Sequence, residues 1–203
     1  VPAHNACVLH IPANSGRLSG AQWVPSPNYD ERPEGAQAQL IVIHCISLPP
    51  GHFGGGEVDA LFCNRLDPQA HPYFADLESL RVSAHFLIDR RGELTQFVDC
   101  GHRAWHAGQS SYCGRQRCND FSIGIELEGT EHMPYENAQY LTLVALIAAL
   151  RRRYPTLAQA PVVGHSDIAP GRKSDPGRSF DWARLRGELR SVSLPILAKA
   201  VSP

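Results

Sequence analysis

At 203 residues, with 43% hydrophobic and 19% charged side chains, the chain is long enough to bury a real core and too apolar for disorder. Its 19 Lys and Arg against 20 Asp and Glu leave a formal net charge of −1, which gives no general electrostatic reason to expect nucleic acid or an anionic membrane as partner. No apolar run reaches the roughly 20 residues that span a bilayer, and residues 1–24 show no basic stretch followed by an apolar one, so neither a membrane span nor a leader is expected.

Residues 1–23 read as an irregular N-terminal tail, and Asn14-Ser15-Gly16, Pro25-Ser26-Pro27-Asn28 and Arg32-Pro33-Glu34-Gly35 are turn signals. The β-branched run Leu40-Ile41-Val42-Ile43-His44 predicts a buried strand, followed by a loop over 49–56. A helix is expected over 58–65, stopped by residues 68–73. Residues 83–89 and 93–98 predict a hairpin around Arg90-Arg91-Gly92, and loops are expected at 105–108 and 113–119. Residues 121–127 predict another strand with apolar side chains at 121, 123, 125 and 127, so Ser122, Gly124, Glu126 and Glu128 share the opposite face. A long helix follows over 135–154, then a short strand at 162–164, a loop over 168–177, a closing helix at 180–189 and a C-terminal tail over 191–203. Strands and helices interleave without repeats, so the expected fold is a single-domain α/β (mixed α+β) one, a central mixed β-sheet flanked by helices.

Six cysteines (Cys7, Cys45, Cys63, Cys100, Cys113, Cys118) neither cluster nor form a CxxC pair. They are expected as free, mostly buried thiols of a reducing compartment rather than as disulfides or a zinc ribbon.

Chemistry gathers at a few positions. His44 ends one predicted strand, His165 ends another, and Asp175 follows in a loop; a catalytic metal site commonly uses three such ligands and leaves a fourth position for water. Spacing alone does not separate this trio from the satisfied core or loop histidines that usually follow apolar runs, and ten histidines offer other trios. Glu126, between Ile125 and Leu127 on an otherwise apolar strand, suits a desolvated general base; Glu128 shares its face, and a salt-bridged strand residue is the alternative. Lys173 lies close enough in sequence to Asp175 to reach the same site and neutralise an oxyanion. A Cys45 nucleophile paired with His44 is disfavoured, because adjacent strand side chains point apart.

Five ordered segments carry a resemblance: Ile43-His44-Cys45-Ile46-Ser47-Leu48-Pro49-Pro50-Gly51, Ser83-Ala84-His85-Phe86-Leu87-Ile88, Arg103-Ala104-Trp105-His106-Ala107-Gly108, residues 118–129 and residues 164–177. Together they resemble the type 2 N-acetylmuramoyl-L-alanine amidases over residues 24–189. The resemblance implies a zinc amidase domain over 24–190, with one zinc ion held by His44, His165 and Asp175, Glu126 as base, and Lys173 at the oxyanion. It implies substrate contacts from Arg81, Trp105 and Arg117; the two arginines suit a carboxylate-bearing stem peptide.

Cys45 stands where this subfamily usually has Asn, which puts one substrate contact in doubt. Of the other histidines, His85 is read as packing or as support behind a ligand, and His106 as helping to shape the substrate groove. His71, His102 and His132 carry no comparable context, and the resemblance favours Asp175 over Asp167 as ligand. The implied activity is hydrolysis of the amide between (1,6-anhydro-)N-acetylmuramic acid and L-alanine in muropeptides, in cytoplasmic cell-wall recycling. The implied partner is a muropeptide or peptidoglycan fragment, with no nucleic acid, membrane or obligate protein partner. Rival readings are a periplasmic or lytic amidase on polymeric peptidoglycan, and a non-catalytic peptidoglycan-recognition module, which typically has lost a zinc ligand.

Overall fold

A computed structural model describes residues 9–193 of the protein. Cys7 and residues 194–203 of the expected C-terminal tail lie outside them. In chain order the strands are β1 (Gln22–Trp23), β2 (Tyr29–Asp30), β3 (Leu40–Ile46), β4 (Phe86–Ile88), β5 (Leu94–Gln96), β6 (Arg103–Ala104), β7 (Ser111–Tyr112), β8 (Arg115–Gln116), β9 (Ser122–Glu128) and β10 (Val162–Gly164). The helices are α1 (Glu57–Phe62), α2 (Pro72–Ala75), α3 (Asn137–Arg153), α4 (His165–Ile168) and α5 (Trp182–Ser193).

One sheet of six strands carries the fold, in the order β1-β5-β4-β9-β3-β10. Only β4 and β5 pair antiparallel within it; the other neighbours run parallel, which makes the sheet mixed. The central strands β3 and β9 are covered on both faces, so their apolar character is nearly continuous, as expected of buried parallel strands.

Strand alternation sorts the side chains into two layers. Ile41, Ile43, Ile123, Ile125 and Leu127 pack against Leu143, Leu146, Ile147 and Leu150 of α3 and Leu185 and Leu189 of α5. On the other face Leu40 and Val42 meet Ala107, Phe121 and Ile168. Leu87 meets Leu61, Phe62 and Phe74 of α1 and α2 on that face. Burial of one such Leu or Ile is worth roughly 1.5–3 kcal/mol. The sheet is thus clamped between two helical layers, and the second layer leaves an opening above the ends of β3 and β9.

Several boundaries differ from expectation for local reasons. The long helix begins at Asn137 rather than 135, because Glu136 is extended and Tyr135 instead stacks near Phe180 and donates its hydroxyl to the Pro176 carbonyl at 2.8 Å. The hairpin strands are shorter than expected. Ser83 and His85 fall outside the strand, and their backbone groups pair with Trp105, Gly124 and Phe97 in a more irregular pattern. Residues 9–23, expected as an irregular tail, place Ile11 and Leu18 in the main core and supply β1 to the sheet edge. The five described cysteines are all free thiols.

Candidate active site

Because β3 and β9 run in parallel register, His44 and Glu126 sit directly beside one another and project to the same face. On the far side of β3, β10 ends at Gly164, and His165 opens the one-turn helix α4. The loop after α4 brings Asp175 back, held where the Ser166 N–H donates to the Asp175 carbonyl at 3.0 Å. The three side chains meet at the carboxyl ends of parallel strands, where open α/β sheets form their clefts.

His44 Nδ1 lies 2.9 Å from His165 Nδ1 and 3.2 Å from Asp175 Oδ2, and His165 Nδ1 lies 3.1 Å from the same oxygen. No placement of imidazole protons satisfies all three edges of this triangle, whereas a cation between the atoms would. The trio could hold a metal ion. All three side chains are buried, as is Glu126.

The electrostatics divide the two carboxyls. Burial pushes Glu126 well above the usual carboxylate range, and Asp175 pushes it further while Lys173 pulls it back. Its Oε2 is buried without a hydrogen-bond partner. Burial also disfavours ionised Asp175, but its close contacts with His165 and His44 outweigh this and hold it well below the usual range. Burial lowers His44 to about 4 despite its contact with Asp175. Two carboxyls set apart in this way suit different roles, one carrying a proton and one staying ionised.

Around the triangle lies a cleft of about 550 Å³. Cys45, Trp105, His106, Glu126 and Lys173 line it with His44, His165 and Asp175, and Tyr73, Leu77, Leu80 and Val82 form an apolar wall. His132, for which the sequence offered no context, is also on the lining. A larger cleft of about 640 Å³, bordered by Glu57, Asp59, Arg91 and Thr142, contains none of the three.

The remaining candidates fall in different places. Arg81 is exposed, donates to the carbonyls of Glu78 and Leu80, and is not on the cleft lining, although its neighbours Leu80 and Val82 are. Arg117 is exposed, pairs with Asp120 at 3.2 Å, and borders a separate cavity of about 360 Å³ with Ser110 and Arg172. Cys45 packs toward the α3 layer as well as bordering the cleft, and burial pushes its thiol up to about 12, so it is not a nucleophile near neutral pH.

His106, expected to help shape the groove, lies on its lining and reaches further inward. Its Nδ1 lies 2.9 Å from His44 Nε2, directly behind the ligand triangle. The available signal was Gly124, a glycine on the polar face of β9, where a Cβ would lie 2.4 Å from His106 Cγ.

Hydrolysis is the chemistry these groups suit, with a carboxyl of raised proton affinity beside three side chains that could hold a metal ion, in an open cleft. Comparison with known proteins makes the class specific. The sequence profile of the N-acetylmuramoyl-L-alanine amidase family matches residues 34–178, and the chain belongs to that family.

The chain is 59% identical over 173 residues to the 1,6-anhydro-N-acetylmuramyl-L-alanine amidase AmpD of Citrobacter freundii, covering 85% of this chain and 92% of that protein. Its fold matches the crystal structure of a Se-Met AmpD derivative with a TM-score of 0.85 and 57% identity, over 88% of this chain and 99% of the other. It is also similar to the amidase AmiD from Escherichia coli, solved with the substrate anhydro-N-acetylmuramic acid-L-Ala-D-gamma-Glu-L-Lys. That match has a TM-score of 0.54 and 30% identity, over 78% of this chain and 60% of the other. Among the described residues, no helix is long and apolar enough to cross a membrane.

Proposed function

We propose that the chain is a zinc-dependent hydrolase that cleaves the amide between 1,6-anhydro-N-acetylmuramic acid and L-alanine in muropeptides, in cell-wall recycling in the cytoplasm. The observation that carries this reading is the His44–His165–Asp175 triangle beside a desolvated Glu126, in a chain 59% identical to an amidase named for that bond. The donor set fits zinc: two imidazoles and a carboxylate are ordinary zinc ligands, and a tetrahedral site with bonds of about 2.0–2.1 Å has donors about 3.3 Å apart. The observed edges of 2.9, 3.1 and 3.2 Å are close to that. When bound, zinc would supply Lewis acidity to the reacting water and carbonyl.

The residues of this chain account for the proton traffic. Glu126, as base, takes a proton from the water that attacks the lactyl–alanine carbonyl, and its raised affinity for protons favours that transfer near neutral pH. It then delivers the proton to the departing alanine nitrogen, so that water and amide become a carboxylic acid and an amine, which share the remaining water proton as carboxylate and ammonium. Lys173, on the cleft lining, offers its ammonium to the negative charge that builds on the carbonyl oxygen. Trp105 and the apolar wall would cover the sugar and the lactyl group. Arg81 and Arg117 would meet carboxylates of the stem peptide where it leaves the cleft, and Cys45 would border the substrate with only a weak thiol donor and acceptor to offer.

The test is hydrolysis of anhydro-muramyl tripeptide by the purified protein, with chelator and then with zinc added back. Cleavage that the chelator stops and zinc restores is expected, with slower turnover on intact sacculi. Binding without cleavage by the fully zinc-loaded protein would leave a recognition module instead.

A further inference from the structure

The imidazole of His44 has a second nitrogen, and its partner is unusual. Ligand histidines commonly donate that N–H to a carboxylate or a backbone carbonyl. Here His44 Nε2 meets another imidazole, His106 Nδ1, at 2.9 Å. From His106 the contacts continue to Ser122, whose Oγ lies 3.0 Å from His106 Nε2 and 2.6 Å from the Cys118 carbonyl oxygen.

The far end of this chain sets its direction. A carbonyl oxygen only accepts, so the Ser122 hydroxyl proton points at Cys118. Ser122 Oγ then accepts from His106, which places the His106 proton on Nε2. Both hydrogen-bond partners of the His106 ring are neutral groups with no carboxylate among them, so the ring carries one proton and Nδ1 is left as an acceptor. His44 therefore donates from Nε2, and its Nδ1 lone pair faces His165 and Asp175.

The fold reserves room for this arrangement. Gly124 lies beneath the His106 ring, where any Cβ would stand 2.4 Å from its Cγ. Ser122 is fully buried on the same face of β9 as Gly124 and Glu126, so one strand supplies the end of the relay, the space for its middle and the proposed base.

We propose that His106 is a positioning residue for the metal centre: through the Cys118–Ser122–His106–His44 relay it fixes the His44 tautomer and ring orientation, and so raises metal affinity. Without it, His44 could turn its protonated nitrogen toward the other ligands. The inference rests on the reading of the triangle as a zinc site.

The experiment is zinc affinity, measured by competition with a chromophoric chelator, and the visible spectrum of the cobalt-substituted protein, for wild type and three variants. His106→Phe keeps a ring over Gly124 but removes the acceptor; it should weaken zinc binding about 10–100-fold and shift the cobalt bands. His106→Asn offers an acceptor near the Nδ1 position and should recover most of the affinity and the wild-type spectrum. Ser122→Ala removes the orienting acceptor behind His106, with its bond to the Cys118 carbonyl, and should weaken binding several-fold, independently of how His106→Phe folds. Unchanged affinity and spectrum in His106→Phe, or in Ser122→Ala, would overturn the relay. Equal weakening in His106→Asn and His106→Phe would reduce His106 to a packing residue and overturn it too. Failure of the wild type itself to bind zinc would instead bring down the metal reading on which the proposal stands.

Discussion

The Glu126 carboxyl lies buried beside Asp175 with Oε2 lacking a partner, and it binds its proton far more tightly than an exposed glutamate. Whatever its part in turnover, that property opposes folding. Unfolded glutamate ionises near about 4.3, so above that pH the folded state holds a proton that the unfolded state has released. Stability therefore falls as pH rises from that value through the folded pKa. Glu126→Gln removes the titration. It should lower kcat about 10²–10⁴-fold with zinc still bound, while the metal-free variant melts at or above wild type at pH 7. That advantage should shrink as pH falls toward about 4.3. A variant retaining full turnover would remove Glu126 from the base role.

Cysteine chemistry offers a second test at this scale. Burial raises Cys45 to about 12 and Cys100 beyond the usual thiol range, whereas Cys113 is exposed. Only the thiolate alkylates, so iodoacetamide at pH 8 should modify Cys113 long before Cys45 or Cys100, as mass spectrometry of the digested protein would reveal. Early loss of Cys45 would contradict its burial.

Between residue and element stands Gln139, fully buried in the first turn of α3. Its Oε1 accepts from the Glu136 N–H at 3.0 Å, and its Nε2 donates to the carbonyls of Glu128 at 2.9 Å and Ile88 at 3.2 Å. One side chain thus caps the helix and bolts it to the ends of β4 and β9, two residues from Glu126. Gln139→Leu fills the space but strands these backbone groups, and should cost about 2–4 kcal/mol in urea unfolding. A loss under roughly 0.5 kcal/mol would show the bolt to be dispensable.

Elements of this kind are partly legible in the sequence. The period-2 pattern of 121–128 is enough to put Ser122, Gly124, Glu126 and Glu128 on one face, and the apolar run before His44 is enough to bury β3. Periodicity says nothing of what folds over a strand. The Gln139 bolt, the His106 contact and the packing of Ile11 and Leu18 depend on partners far away in the chain, and no local pattern encodes them. The positions of Arg81 and Arg117 relative to the cleft likewise depend on loop paths that residue type does not fix.

At the scale of the whole molecule, the site face of the sheet carries a row of imidazoles held neutral. Burial lowers His44 to about 4, His85 to about 3, and His106 well below the usual histidine range. In the unfolded chain each would take up a proton near about pH 6.5. Below that pH the unfolded state binds protons that the folded state refuses, so stability is present above about 6.5 and is lost as pH falls toward about 4, where His44 begins to accept its own. Glu126 acts in the opposite direction over this range, and the depressed Asp175 contributes only below about 3.9. With histidines outnumbering the glutamate, the metal-free protein should lose up to about 3 kcal/mol per pH unit between pH 6 and 5. Urea unfolding of chelator-treated protein would check this, and a flat profile from pH 7 to 5 would mean that the histidines are not held neutral. Zinc adds a second dependence of the same sign. At free zinc 1,000 times its dissociation constant the loaded protein gains about 4 kcal/mol at pH 7. Protons compete for the ligand nitrogens, so that gain should fade as the pH falls and the loaded and metal-free curves should converge on the acid side.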